Sequence, residues 1–189
     1  LYGGNTLHSN TSNVNVGSNT VYIYSNDKSG HINNNTNLTS TGNENYGIYS
    51  AGSVTNTGNI SFLSGIGNVG IYSSNGGTAT NNGVISIGAS DISPENLDDR
   101  RYALGMAAGY KTSDTGTIIN NGTINVNGND SIGMYATVEG SIARNNVGAT
   151  INLGADGAIG MYLDEKAKGY NDGVIQTTPG TKPRSEEHT

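Results

Sequence analysis

The sequence of 189 residues contains no cysteine and no tryptophan. The lack of cysteine excludes a disulfide framework, a thiolate metal site and a cysteine nucleophile. No run of about 18 apolar residues is present, which excludes a transmembrane helix. Lysine and arginine number 9 against 15 aspartates and glutamates, a net charge of −6. Nucleic acid is therefore not an expected partner, because phosphate binding needs a basic patch.

Residues that could carry catalysis are also scarce. The three histidines share no common spacing, and no nucleophile elbow, zinc-protease, phosphate-loop or calcium-loop motif is present. Asp27, Glu139 and Asp164 each follow a predicted strand, but their spacing does not bring all three together. We therefore predict no enzyme, no cofactor and no metal site. A β-helix polysaccharide lyase or hydrolase, with carboxylates gathered on one sheet, is the alternative.

Glycine and asparagine dominate the remaining composition. Glycine accounts for 29 residues, while hydrophobic residues make up 33% and charged residues 13%. Such a composition approaches that of disordered chains, although the net charge is too small for that class. The order of the residues along the chain decides whether the chain is disordered or folded.

A hexapeptide recurs along the chain, most clearly as SIGMYA from Ser131 and AIGMYL from Ala158. Its glycine returns at intervals in the twenties, with one longer interval between Gly70 and Gly105. A second motif keeps step with it, as in NNGVISI from Asn81 and NNGTINV from Asn120. Alternation with a period of two predicts strands, and a period in the twenties is typical of solenoids. We predict an all-β fold, a β-helix of about six coils.

Equivalent residues of successive coils are expected to stack in columns. Three apolar columns are predicted to fill the core: Val21, Tyr46, Val69, Leu104, Ile132 and Ile159; Ile23, Ile48, Ile71, Met106, Met134 and Met161; and Val14, Leu38, Ile60, Ile85, Ile124, Ile151 and Ile175. In this scheme Ser131 lies on the outer side of its strand. Stacking lets few apolar residues per coil suffice, so the disordered interpretation is rejected.

Two further columns are polar or aromatic. The asparagines are predicted to form hydrogen-bonded ladders at the turns. An outer ladder of tyrosines, interrupted at Ala107, consists of Tyr24, Tyr49, Tyr72, Tyr135 and Tyr162. Covering the flank of the rod is the favoured role of these tyrosines, and contact with a partner such as a sugar ring is the alternative.

One segment, residues 89–101, departs from the repeat and holds the densest charge of the chain. Insertions in solenoids project at turns, so a solvated loop with one helical turn capped at Ser93–Pro94 is expected. A receptor-contact loop is the alternative. The candidate contact residues are Asp91, Glu95, Asp98, Asp99, Arg100 and Arg101.

The segment NNGTINVNGNDSIGMYATVEGSIARNN, together with GAIGMY, resembles the passengers of large fusobacterial autotransporter adhesins. The resemblance covers most of residues 13–176. It implies an extracellular, type V secreted passenger at the cell surface or outer membrane, with a role in adhesion and virulence as a structural stalk, as a binding surface, or as both. The implied partners are a host-cell surface glycan or protein, or partner bacteria, together with neighbouring coils of the same parent chain. A two-partner-secreted haemagglutinin-type filament is a further alternative.

The resemblance also implies a membrane contact only through a C-terminal barrel outside this sequence, so an internal fragment is expected. RSEEHT, residues 184–189, resembles the translation of a sequencing adapter and breaks the Asn/Gly style of the chain. The predicted organisation is a β-solenoid over residues 1–183, with an insertion at 89–101, followed by an artefactual tail.

Overall fold

The computed structural model describes residues 6–9 and 14–184, and the tail from residue 185 onward lies outside the described residues. Twenty strands form three parallel sheets, and each full coil contributes one strand to each sheet. The first sheet contains β1 Thr6–Ser9, β4 His31–Asn34, β7 Ser53–Asn56, β10 Gly77–Asn81, β13 Gly116–Asn120, β16 Ile142–Asn145 and β19 Lys168–Asn171.

The second sheet contains β2 Val14–Val16, β5 Leu38–Ser40, β8 Asn59–Ile66, β11 Val84–Ala89, β14 Thr123–Val126, β17 Thr150–Leu153 and β20 Val174–Thr177. The third contains β3 Val21–Ser25, β6 Tyr46–Ser50, β9 Val69–Ser73, β12 Leu104–Ala108, β15 Ile132–Ala136 and β18 Ile159–Leu163. The predicted all-β solenoid is confirmed: it has about 7 turns and a period of about 25 residues. Within the described residues, no helix has the length and apolarity needed to cross a bilayer.

Two of the three predicted columns form the inner wall of the solenoid. In the second sheet Ile60, Ile85 and Ile124 pair in register and are fully buried. In the third sheet Ile71, Met106 and Met134 do the same. The first sheet closes the core with a column that the repeat motifs did not reveal: Ile32, Val54, Ala79, Ile118 and Ala143.

The column that begins at Val21 is in the predicted register but on the wrong face. Its members lie outside the main hydrophobic cluster, although Val69 and Ile132 are themselves buried. The Tyr46 ring packs against the Tyr49 ring on the outside of the sheet, with ring centroids 6.0 Å apart. From Tyr46 onward, a glycine follows the residue of this column in each coil. It allows two successive positions to face inward, so the alternation of inward and outward residues is interrupted here. Ser131 accordingly is buried and donates to the Gly88 carbonyl at 2.6 Å, so its predicted outer position is wrong.

The repeated glycine of the hexapeptide follows from contacts between coils. A Cβ built on Gly105 would lie 2.5 Å from the Gly133 carbonyl oxygen and 2.8 Å from a methyl group of Ile124. Gly70 and Gly133 meet the same two kinds of atom in their own neighbours. Each coil therefore excludes a side chain at this position so that the next backbone and an inward isoleucine can approach.

A ladder of asparagine side chains runs through the corner after the first sheet. The Nδ2 of Asn34 donates to the Oδ1 of Asn56 at 2.7 Å, and Asn56 donates to Asn81 at 2.9 Å. The series continues through Asn120, Asn145 and Asn171 at 2.8 to 2.9 Å. Because an amide both donates and accepts, buried asparagines can satisfy one another coil after coil. The predicted asparagine ladder is confirmed.

The insertion leaves the solenoid through a narrow neck. Asp91 and Arg101 exchange two backbone hydrogen bonds, at 2.8 and 2.9 Å, in an isolated antiparallel bridge. Beyond the neck lies a single 3₁₀ turn, Leu97–Asp99. Its N-cap is Asn96, whose side chain accepts from the Asp98 amide, so the predicted cap at Ser93–Pro94 is wrong.

Candidate binding face

The outer surface of the third sheet carries the tyrosine column, and we call this surface the tyrosine face. Tyr49 and Tyr72 stack with centroids 5.0 Å apart and an interplanar angle of 4°. Tyr24 lies 5.5 Å from Tyr49 in a tilted arrangement. Further along the rod Tyr135 stacks on Tyr162 at 5.8 Å. All five rings are half-buried, so the ladder covers the sheet while presenting aromatic surface to solvent.

The ladder is broken at Ala107, which pairs with Tyr72 on one side and with Tyr135 on the other. Because the strand of Ala107 lies between them, the strands of Tyr72 and Tyr135 are about 9.6 Å apart, twice the spacing of neighbouring strands. The Tyr72 hydroxyl donates to the Gly109 carbonyl at 2.6 Å, which fixes its ring at the border of the break. The break therefore separates two stacked blocks of tyrosines and leaves space between them.

Two depressions lie at this break. The larger has a volume of about 600 Å³. It is lined by Tyr46, Tyr49, Tyr72, Leu104, Gly109, Tyr110, Tyr135, Thr137, Asp164 and Glu165. The smaller, of about 360 Å³, is lined by Leu97, Tyr102, Leu104, Ile132, Tyr135, Ile159, Tyr162, Asp164 and Arg184. Leu104, Tyr135 and Asp164 belong to both, so the depressions form one continuous groove along the tyrosine face.

One side of the groove is built by a second departure from the repeat, residues 109–115, which we call the 109–115 loop. The corresponding connection after β9 is only residues 74–76. Asp114 ties the loop to the previous coil, because its carboxylate accepts from the Asn75 amide at 2.5 Å. Tyr110, 62% exposed, lines the larger depression. The only sequence signal for this loop was a few extra residues between Gly105 and Gly133.

The insertion and the residue that directly follows it supply apolar side chains to the opposite part of the groove. Leu97 is 68% exposed and Tyr102 is 40% exposed, and both line the smaller depression. Exposed apolar surface of this kind, gathered in a concave region, is typical of binding sites. The sequence prediction named the charges of the insertion and missed its Leu97 and the adjacent Tyr102.

The predicted charged contacts are largely engaged within the insertion itself. The Asp91 carboxylate accepts from the Ser93 hydroxyl at 2.6 Å, and Asp99 accepts from Asn96 at 3.2 Å. Arg100 donates to the Pro94 carbonyl at 3.1 Å, and Arg101 forms an ion pair with Glu44 on an earlier coil. Glu95 and Asp98 are exposed. Their role as receptor contacts stays a prediction.

Negative charge surrounds the tyrosines of the groove. Burial raises the pKa of the Tyr72 hydroxyl, with further contributions from Tyr49 and Asp114. Burial also raises the pKa of Tyr135, and the carboxylates of Asp164 and Glu165 add to the effect. Burial, Tyr49 and Glu44 raise the pKa of Tyr46. These hydroxyls therefore stay protonated through the neutral range.

The three carboxylates weighed as catalytic candidates, Asp27, Glu139 and Asp164, lie apart from one another. Glu139 and Glu165 line a further depression beside the 109–115 loop, where Lys166 pairs with Glu139 at 3.7 Å. Asp164 lies in the groove instead, and Asp27, beside Lys28 on an early coil, is hydrogen-bonded to Ser29. Across residues 6–9 and 14–184, no group of three or more histidine, aspartate or glutamate side chains has the geometry of a metal site.

The chain is a parallel β-solenoid, and a comparison with family models indicates which kind of β-solenoid it resembles. Residues 61–146, which include the insertion and the 109–115 loop, match the family model described as the BigA third pectate lyase-like domain. BigA is an autotransporter-like surface protein, so the match supports a surface β-helix passenger without singling out the fusobacterial type. No curated protein and no solved structure matches the chain.

Proposed function

We propose that this chain is a binding segment of an autotransporter adhesin passenger of the kind the fusobacterial resemblance implies. The groove on the tyrosine face is the contact surface for a host-cell or bacterial partner. The observation that carries the proposal is the placement of the groove: both departures from the repeat border it, the insertion with the exposed Leu97 and the 109–115 loop with the exposed Tyr110. In this proposal the regular coils set the length of the rod, and the residues outside the repeat make the contact with the partner.

The proposal also assigns no catalytic role to the chain. Its support is that the carboxylates weighed as catalytic candidates lie apart: Asp164 lies in the groove, Glu139 lines a neighbouring depression beside Lys166, and Asp27 lies on an early coil. The family description names a pectate lyase-like fold, so lyase activity is the second candidate. Incubation with polygalacturonate, followed by ultraviolet detection of unsaturated uronates, is expected to show no product. Product formation that depends on Glu165 favours the enzyme.

A cell-adhesion assay tests the binding role. Beads coated with the full chain are incubated with host epithelial cells and with co-colonising bacteria, and attached beads are counted. Tyr102→Ser is expected to reduce attachment severalfold. The matched control is Tyr170→Ser, because Tyr170 is equally exposed at 40% but stands on the first sheet, where Arg144 lies over its ring at 4.2 Å. Equal attachment of both variants and the parent chain contradicts the proposal.

A further inference from the structure

We propose that the larger depression of the groove binds a quaternary ammonium group, such as the choline headgroup of a lipid. The inference deepens the proposed function, because it names the chemistry that the tyrosine face recognises. The depression is the part of the groove where aromatic rings from three coils and the 109–115 loop come together.

Five tyrosines line this depression: Tyr46, Tyr49, Tyr72, Tyr110 and Tyr135. The faces of aromatic rings carry partial negative charge, and cations within about 6 Å of a ring centroid are attracted to them. One ring of the lining, that of Tyr110, already has a cation over it. The ammonium of Lys111 lies 4.9 Å from the centroid of the Tyr110 ring.

The charges at the depression favour a cationic guest. Asp164 and Glu165 belong to its lining, and Asp114 lies close enough to act on the Tyr72 hydroxyl. The described lining residues include no lysine or arginine. An anionic sugar such as a uronate would meet like charge here, whereas an organic cation meets carboxylates and ring faces together.

The apolar character of the lining selects a methylated ammonium over a primary one. A primary ammonium has three donors and is strongly hydrated, so it needs several acceptors when it leaves water. Apart from the exposed carboxylates of Asp164 and Glu165, the depression is lined mostly by tyrosine rings and the Leu104 side chain. The Tyr72 hydroxyl directs its proton to the Gly109 carbonyl. A trimethylammonium group has no donors to satisfy, and its methyl groups can contact the rings directly.

The test compares choline with its neutral analogue, in which carbon replaces the quaternary nitrogen. Both are titrated into the full chain while the tyrosine ring signals are followed by NMR. Choline is expected to bind at least tenfold more tightly than the neutral analogue and to shift the signals of Tyr72 and Tyr135. Equal binding of the two compounds, or no shift with choline, overturns the inference. Binding of methyl glucoside without binding of choline also overturns it, in favour of a neutral sugar.

Variants separate the depression from the rest of the ladder. Tyr135→Leu is expected to weaken choline binding at least tenfold, while Tyr24→Leu, on the same ladder but outside the lining, leaves it unchanged. Asp164→Asn with Glu165→Gln provides a version with little risk to folding, since both side chains are exposed. Full choline affinity in that double variant contradicts the charge argument.

The adhesion assay keeps the two proposals apart. If choline fails to bind while Tyr102→Ser still reduces attachment, the ammonium inference is wrong and the adhesive role stands. If choline binds but attachment is insensitive to every groove variant, the adhesive role is wrong and the ammonium site stands. Vesicles containing phosphatidylcholine, compared with vesicles of phosphatidylglycerol alone, then show whether the headgroup is recognised on a membrane.

Discussion

Asn81 and Asn120 are 39 residues apart in the chain, yet the Nδ2 of Asn81 donates to the Oδ1 of Asn120 at 2.9 Å. Both the insertion and the 109–115 loop lie between them. The hydrogen bond has the same length as those between coils without additions, such as Asn120 to Asn145 at 2.9 Å. Departures from the repeat are therefore absorbed at the corners, and the ladder keeps the coils in register.

Removing one member of the ladder should be costly. Asn81→Ala deprives the buried Asn56 amide of its acceptor and the Gly83 carbonyl of its donor. Buried groups left unsatisfied cost about 1–3 kcal/mol each, so the urea midpoint should fall clearly. Asn82→Ala is the control, because that exposed side chain accepts a single bond from Asn121. Equal midpoints for the two variants contradict a stabilising ladder.

Adjacent isoleucines on β13 test the inner column of the first sheet. Ile118 is fully buried in the core, whereas Ile119 is half-buried and belongs to the opposite face of the strand. Ile118→Ala should lower the free energy of unfolding by about 2–5 kcal/mol through lost burial and a cavity. Ile119→Ala should cost much less. Chemical denaturation of both variants measures the difference. If Ile119→Ala costs more than Ile118→Ala, the assignment of Ile118 to the core is wrong.

The buried tyrosines predict a loss of stability in alkali. Their folded-state pKa values are raised above the ordinary value near 10, so the unfolded chain releases these protons first. The stabilisation is complete below about pH 10 and is lost as the pH rises through the folded-state values. Tyr72→Phe should lose less stability between neutral pH and alkali than the parent chain. A parallel pH dependence of the two melting temperatures contradicts this account.

The neck of the insertion allows it to be removed cleanly. Because Asp91 and Arg101 form an antiparallel bridge, residues 92–100 can be replaced by an Asn-Gly turn. The melting temperature should change little, since Arg101 and its ion pair with Glu44 are kept and the 3₁₀ turn that is removed has no buried residues. Bead attachment should fall because Leu97 is lost from the groove. A large drop in melting temperature would show that the insertion is part of the folding unit.

The sequence predicted the solenoid and two of its inner columns because every coil repeats them. The column of Ile32, Val54 and Ala79 was missed, since its residue types vary from coil to coil. The column of Val21 and Ile132 was assigned to the wrong face because alternation was carried through a glycine, where the backbone places two residues on the same side.

The groove was less predictable than the fold. The tyrosine ladder and its break at Ala107 were visible as a pattern, but the arrangement of the side chains around the break was not. Leu97 and Tyr110 belong to segments outside the repeat, and Tyr102 directly follows one of them, so no neighbouring coil provides a template for their position. Contacts that occur once in the molecule leave no periodic signal in the sequence.

The glycine contacts between coils have an evolutionary consequence. Gly70, Gly105 and Gly133 meet the next coil through the same kinds of atom, so each coil presents nearly the same upper and lower surface. Recombination within such a gene can add or delete a whole coil without creating a new interface. Each event lengthens or shortens the rod by about 4.8 Å, the spacing of one rung. The position of the groove along the rod can thus vary in small steps while the groove itself is unchanged.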